Sequence, residues 1–430
     1  MSINELYDLF LKFPKISTDS RRIENGSLFF ALKGENFNGN GYAATALAGG
    51  AAYAVIDEAE YQLSDRYILV DNVLSALQDL ARFHRIQLGI PVIAITGTNG
   101  KTTTKELVTA VLSKKFSVEY TRGNLNNHIG VPLTLLSMNS STQIGVVEMG
   151  ANHPGEIATL CEIALPDFGL ITNVGKAHLE GFGSFEGVKK TKAELYRFIE
   201  QRKGKIFLNT ANSHLTEMAG NAGRISYKTS KVGDGIEGEL LQSAPLMVFQ
   251  VKFPKGWLYI KTNLAGGYNL ENALAAVCIG DHFGVSPLEI GAAIEAYKPA
   301  NNRSQFIQTA HNQILMDAYN ANPTSMDAAL ENFNAFAAPL KGIILGDMLE
   351  LGAFSHEEHQ KIADKLAMMN PGMMLLAGKE FSKCKLPPGA RVFADITLLI
   401  NYIESIRPQG YLFLLKGSRG MKLENVVVKL

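Results

Sequence analysis

Short apolar runs recur along the chain, most ending at or just before a polar residue, and stretches with apolar positions returning every three or four residues lie between them. Runs of the first kind read as strands covered on both faces, and the stretches between them as amphipathic helices. In the central part, Val92 to Ile95, Ile144 to Met149, Phe168 to Thr172 and Lys205 to Asn209 are strand-like. From about residue 301 the pattern restarts with Gln313 to Met316, Gly342 to Leu345, Met373 to Leu376, Arg391 to Phe393 and Tyr411 to Leu415, spaced by helical stretches that include Ser325 to Phe336 and His356 to Met368. Ahead of both, Ser27 to Leu32 and Ala52 to Ile56 read as strands, and a helix from about Val73 to Leu88 runs up to Pro91. Met247 to Phe253 and Trp257 to Thr262 flank Pro254-Lys-Gly256 as a hairpin, and the chain then returns to a helix with Asn269 as its cap. The fold class is therefore α/β in three domains: a small N-terminal α/β unit at 1–88, a central P-loop ATPase-like domain with a mainly parallel sheet at 89–300, and a Rossmann-like C-terminal domain at 301–430.

The strongest chemical signal lies between the first central strand and its helix, in Thr96-Gly-Thr-Asn-Gly-Lys-Thr-Thr103. Gly97 and Gly100 let the backbone turn its N–H groups toward an anion, and Thr98 and Asn99 between them are candidate nucleotide contacts. The helix that follows offers its positive end, Lys101 a mobile charge, and Thr102 and Thr103 hydroxyls, Thr102 in the place that serves Mg2+. The general pattern has a glycine five residues before Gly100, where this chain has Ile95. A nucleoside triphosphate is the expected ligand.

Composition narrows the partners. The 430 residues are 46% hydrophobic and 19% charged, with Lys plus Arg and Asp plus Glu at 41 each. That balance describes a folded globular protein without a field that would attract nucleic acid or an anionic membrane. Cys161, Cys278 and Cys384 are too scattered for a zinc site or a disulfide framework. The start of the chain lacks the basic and apolar regions of a signal peptide, and no apolar run reaches the roughly 18 residues of a membrane span, so a cytoplasmic location is expected. Nothing in the pattern calls for an obligate interface, and a monomer is expected.

Polar residues collect at the carboxyl ends of the central strands, where open α/β sheets bind ligands: Thr96, Glu148, Asn173 and Asn209. Glu148 there suits a metal or its water shell. On spacing alone, His178 in a glycine-punctuated loop, Lys192 among the lysines of a helix capped by Ser184, and the cluster Thr18-Asp19-Ser20-Arg21 read as solvated polar groups.

Taken together, several segments go further. The Thr-Gly-Thr-Asn-Gly-Lys-Thr loop, the Glu148-Met-Gly-Ala strand end, the Ala177-His-Leu-Glu180 loop, Thr191-Lys-Ala-Glu194 and Gly267-Tyr-Asn-Leu-Glu-Asn272 resemble the Mur ligases, the cytoplasmic ATP-dependent enzymes that build the peptide stem of peptidoglycan. Within that family, Gly123 to Thr134, Met316 to Pro323, Leu345 to Gly352 and Lys416 to Arg419 are similar to the members that join D-Ala-D-Ala to UDP-N-acetylmuramoyl-tripeptide. The resemblance implies ATP, two Mg2+ ions and a carbamylated Lys192 as cofactors. It implies Lys101, Glu148, His178 and Lys192 as the catalytic set, with Thr102 and Glu148 on one metal and His178 and Lys192 on the other. Asn269 and Asn272 would lie beside the adenine, and Arg303, Asp317, Tyr319 and Asn320 would close on the nucleotide. Thr18 to Arg21 would meet the UDP part of the substrate; Asn126, Asn127, Lys416, Ser418 and Arg419 would lie at the other substrates.

Two positions depart from the family's pattern: Tyr268 stands where a histidine is common, and His128 where an acidic residue is common. A sister ligase that adds one amino acid, folylpolyglutamate synthase, and a nucleotide-gated binding protein are the alternatives. The missing Asp-Asn-Pro-Arg signature argues against the first, a UDP-sugar-like first domain against the second, and an intact Lys101, Glu148, His178 and Lys192 against the third.

Overall fold

The computed structural model describes residues 1–229, 234–300 and 302–430. They form three α/β domains, each on its own sheet. The N-terminal sheet has four parallel strands in the order Ile16–Ser17, Leu28–Phe30, Tyr53–Ile56 and Tyr67–Leu69. Successive residues of a strand point to opposite faces. Leu28, Phe30 and Val55 accordingly pack with Leu77 and Leu80, whereas Phe29, Ala31 and Ala54 pack with Ala43 and Ala46. Helix Val73–Leu88 runs as expected: the Asn72 side chain accepts from Ser75 N at its start, and Gly89 ends it in the left-handed region at φ 63°.

That helix also ties the first domain to the second. Its Arg85 is buried and donates to the carbonyls of Ala164 and Leu165 and, at 2.7 Å, to Asp167 Oδ2. The same carboxylate oxygen accepts from Val92 N at 2.9 Å, so one acidic side chain holds the last helix of the first domain and the first strand of the second.

The central sheet has nine strands in the order Gly256–Lys261, Val248–Phe253, Ile236–Gln242, Gly223–Lys228, Lys205–Asn209, Phe168–Ile171, Val92–Thr96, Ile144–Glu148 and Val118–Tyr120. The Gly256–Lys261 and Val248–Phe253 strands form the expected hairpin, and the rest from Ile236–Gln242 onward run parallel. Three of these strands lie outside the sequence expectation. Val118–Tyr120 is a half-buried edge, and Gly223–Lys228 and Ile236–Gln242 carry mostly exposed or half-buried side chains, so neither shows the apolar run of a covered strand. The helix Asn269–His282 also starts differently. Tyr268 is its N-cap without a side-chain bond, while Asn269 donates to Ala265 O and accepts from Asn272 Nδ2.

The C-terminal sheet runs Gln305–Gln308, Gln313–Met316, Tyr411–Lys416, Leu340–Gly346, Met373–Ala377, Ala390–Phe393, antiparallel only in the first pair. Helices Pro323–Asn334, Ser355–Met369 and Ile396–Ile406 flank it, and Asp317, Asp347 and Lys416 sit at strand carboxyl ends. Among the described residues, no helix is long and apolar enough to cross a membrane.

Candidate active site

The carboxyl edges of the central and C-terminal sheets face a shared cleft of about 1130 Å³. Its central-domain wall is the phosphate loop. Gly97 adopts φ +142° and lies so close to the next strand that a Cβ would meet Thr172 Oγ1 at 2.0 Å; at Gly100, φ +80°, a Cβ would meet Asn272 Oδ1 at 2.4 Å. Only glycine meets both demands. Asn173 and Thr172 lace the loop down: Asn99 N donates to Asn173 Oδ1 at 2.9 Å, and Asn173 Nδ2 and Thr172 Oγ1 both donate to Asn99 O. Lys101 curls back, its Nζ donating to Gly97 O at 2.8 Å and Thr98 O at 3.1 Å. Burial holds its pKa below the ordinary lysine range against the opposing pull of Glu148.

Glu148 ends its strand with the side chain buried. Its Oε1 accepts from Asn126 Nδ2 at 2.9 Å and from Thr102 Oγ1 at 3.3 Å, whereas Oε2 has no hydrogen-bond partner. Lys105 Nζ stands 3.8 Å from Oε2, too far for a hydrogen bond but close enough to balance the charge. A buried, unpaired carboxylate oxygen calls for a ligand. Lys105 is itself buried beneath the ring of Tyr120, and burial lowers its pKa.

His178 projects from the 173–180 loop at φ 49° and pairs through Nδ1 with Oε2 of Glu350, a C-terminal-domain residue. Burial depresses its pKa, Glu350 opposes that shift, and Lys101 and Lys192 add to it. Lys192 does not itself line the cleft; it is buried, its Nζ 5.6 Å from the centre of the Phe182 ring. Burial first, then the charge of Lys101, pushes its pKa down to about 7 against Glu156 and Glu194. A lysine so placed is in large part the neutral amine at neutral pH, the form that can take up CO2.

The C-terminal wall brings Arg303, Asp317, Tyr319, Asn320 and Lys416 to the same cleft. The Arg303 guanidinium stacks 3.5 Å from the centre of the Tyr319 ring, and its buried Nε has no hydrogen-bond partner. Lys416 Nζ donates to Asp317 Oδ2 at 2.6 Å. Asn269 and Asn272 line the opposite side with Tyr268, whose hydroxyl lies 3.0 Å from Ser304 Oγ; His128 also reaches the cleft.

Thr98, Asn99, Gly100, Lys101, Thr102, Thr103, Asn126, Asn127, Glu148 and His178 line the central-domain side. Asn127 spends its Oδ1 on Ile129 N and Gly130 N, at the start of helix Gly130–Leu136. Ser418 and Arg419 do not line it: Ser418 Oγ accepts from Leu349 N, and the Arg419 guanidinium stands 5.4 Å from the Tyr319 ring centre. Thr18, Asp19, Ser20 and Arg21 lie outside the cleft in the N-terminal domain. Lys105, Asn322 and Glu350 escaped the sequence reading. Asn322 Nδ2 donates to Asn99 Oδ1 at 2.8 Å and joins the phosphate loop to the C-terminal domain, a pairing with no local signal.

Three family models match in order along the chain: a Mur ligase family catalytic domain at residues 12–85, a Mur ligase middle domain at 95–280 and a Mur ligase glutamate ligase domain at 302–419. The UDP-N-acetylmuramoyl-tripeptide--D-alanyl-D-alanine ligases of Bacillus subtilis and Escherichia coli are each 34% identical to it, over 96% and 98% of this chain and 92% and 95% of theirs. Among solved structures, MurF from Acinetobacter baumannii superposes with a TM-score of 0.88 at 32% identity, covering 100% of this chain and 98% of that one. MurF ligase from Thermotoga maritima in complex with ADP gives 0.85 at 26% identity, covering 97% of each chain. Matched by all three domain models and nearly end to end by relatives a third identical to it, the chain belongs to the Mur ligase family.

Proposed function

We propose that this protein joins D-alanyl-D-alanine to UDP-N-acetylmuramoyl-tripeptide at the expense of ATP, in peptidoglycan precursor synthesis. The observation that carries the reading is the cleft itself, where an anion-binding loop and a carboxylate with a free oxygen face the basic and aromatic residues of a second α/β domain. A carboxylate is a poor acyl donor because oxide is a poor leaving group. The tripeptide carboxylate oxygen therefore bonds to the γ-phosphorus of ATP as the bond to ADP breaks, giving an acyl phosphate. The D-Ala-D-Ala amine then bonds to that carbonyl carbon, loses a proton, and inorganic phosphate leaves with the electron pair of the broken C–O bond.

Residues of the chain divide this work. The backbone N–H groups of 100–102, at the amino end of helix Lys101–Leu112, hold phosphoryl oxygens in place, and Lys101, already desolvated, adds charge where negative charge gathers. Arg303, pinned on Tyr319, offers its unpaired Nε–H from the other wall. Asn322 on Asn99 holds the walls together, and walls closed over the substrates would exclude water from the acyl phosphate.

The residues also fit Mg2+. Glu148 Oε2 lacks a partner, Thr102 Oγ1 is adjacent, and no cluster of three His, Cys, Asp or Glu side chains occurs among the described residues. A site of one carboxylate and a hydroxyl, completed by substrate phosphates and water, is typical of Mg2+. His178 and a carbamylated Lys192 would hold a second ion. When bound, the ions supply positive charge to the phosphoryl oxygens.

The experiment is phosphate release from ATP and Mg2+ with UDP-N-acetylmuramoyl-tripeptide, with and without D-Ala-D-Ala. Release that requires both substrates is expected. Turnover with a single amino acid in place of the dipeptide, or nucleotide binding without turnover on any stem peptide, would overturn the reading.

A further inference from the structure

Glu350 has no part in the chemistry described so far. It belongs to the C-terminal domain, yet its carboxylate reaches the Nδ1 of His178 on the central domain. Both residues adopt left-handed backbone, φ 49° at His178 and φ 62° at Glu350, uncommon for side chains of this kind. Such conformations persist where the surrounding structure over-determines them, and they cluster at ligand clamps and switches. The footing of the Glu350 loop supplies that determination. Met348 N donates to His359 Nε2 at 2.9 Å, Leu349 N donates to Ser418 Oγ at 2.9 Å, and Ser418 N donates to Asp347 O at 3.1 Å. Across the seam, Glu180 N donates to Glu350 O at 3.4 Å, and a Cβ on Gly352 would stand 3.3 Å from the Cβ of Glu180.

We propose that Glu350 is a positioning residue for His178: by taking the Nδ1 hydrogen bond it fixes the imidazole with its Nε2 lone pair free, so the metal-holding form of His178 is completed only when the C-terminal domain meets the central one. This rests on the reading of His178 as a metal ligand given above. An imidazole that binds a metal through one nitrogen ordinarily donates from the other to a carboxylate or carbonyl, which fixes the tautomer and strengthens the ligand. Here that carboxylate sits on another domain. Metal affinity at His178 and closure of the domains are then linked, and each favours the other by the same factor. The seam has other bonds, Lys176 Nζ to Glu358 Oε1 at 2.8 Å and Asn322 to Asn99, so loss of Glu350 leaves the domains tethered. Its side chain is 54% exposed, and its replacement leaves no cavity.

The test is a Mn2+ titration of the full chain in the presence of a non-hydrolysable ATP analogue, with free Mn2+ read by electron paramagnetic resonance and the radius of gyration read by small-angle X-ray scattering. Wild type, His178→Ala, Glu350→Ala and Glu350→Gln are compared. The expected result is two bound Mn2+ in the wild type, with one lost in His178→Ala. That same ion is weakened about 10- to 100-fold in Glu350→Ala and less in Glu350→Gln, which keeps an acceptor but not the charge. Addition of Mn2+ should compact the wild type and not Glu350→Ala. If His178→Ala loses an ion while Glu350→Ala binds both as tightly as wild type, or more tightly, Glu350 is a domain contact or an obstruction and the proposal falls. If His178→Ala retains both ions, the metal role of His178 falls and this proposal with it, while the ligase activity stands on its own assay.

Discussion

The phosphate loop at 97–102 and the segment at 18–21 are both short polar turns beside a strand in the sequence, and the fold makes opposite things of them. The loop is strapped to the 172–175 chain by backbone and side-chain bonds, its glycines leave no room for a Cβ, and its lysine is desolvated. The segment satisfies itself: Asp19 accepts from Arg21 N at 3.0 Å, Nε at 2.8 Å and Nη2 at 2.8 Å, and the Arg21 side chain is 86% exposed. Arg21 draws the Asp19 pKa down to about 2, yet the pair stays in water, where such contacts are weak. A turn that faces the cleft is built dry and rigid, whereas a turn that satisfies its own charges can remain solvated.

Mutation should reproduce that contrast. Lys101→Ala is expected to lower kcat by about 10²- to 10³-fold with the fold intact, because the bonds to the 172–175 chain hold the loop even without this side chain; steady-state phosphate release and a thermal melt check both halves. Lys192→Ala should lose most activity and regain part of it with a short-chain carboxylic acid standing in for the carbamate. The pH dependence at this residue has a definite sign. Its folded pKa of about 7 lies below the ordinary 10.5, so between those values the unfolded chain holds a proton that the folded chain does not, and its contribution to stability rises with pH. The same neutral amine favours carbamate, so a 13C signal from labelled bicarbonate should grow as pH rises through about 7 and be absent in Lys192→Ala. Asn322→Ala should change kcat and KM together by a smaller factor, since it loosens the seam without touching the phosphate. Arg21→Ala should raise the KM for the UDP-linked substrate slightly and leave kcat alone. A loss of kcat in Arg21→Ala comparable to that of Lys101→Ala would erase the distinction.

What the sequence disclosed follows the same division. Strand Lys205–Asn209 and helix Val73–Leu88 lie where the pattern places them, because the strand is a continuous buried run, the helix is buried along one face, and their ends carry Asn and Gly signals. The edge strands Ile16–Ser17, Val118–Tyr120 and Gln305–Gln308 escaped because a strand covered on one side needs no continuous apolar run. Glu148 and the phosphate loop were legible as strand-end chemistry, since one strand–loop–helix unit contains all the loop's parts. Lys105 was not: beside Glu106 on a helix it reads as a solvated charge, and only the packing of helix Asn269–His282 and strand Val118–Tyr120 around its helix buries it. Asn322 and Glu350 were illegible for a related reason, since their partners lie 223 and 172 positions away in the chain.

The Arg85–Asp167–Val92 junction gives the molecule a mechanical character that its three sheets conceal. With the first boundary pinned by a buried guanidinium and one shared carboxylate, the N-terminal and central domains are fastened by charge as well as by chain. A substrate group held at 18–21 would keep a distance to the phosphate loop that is set once, by folding, and need not be found again in each turnover.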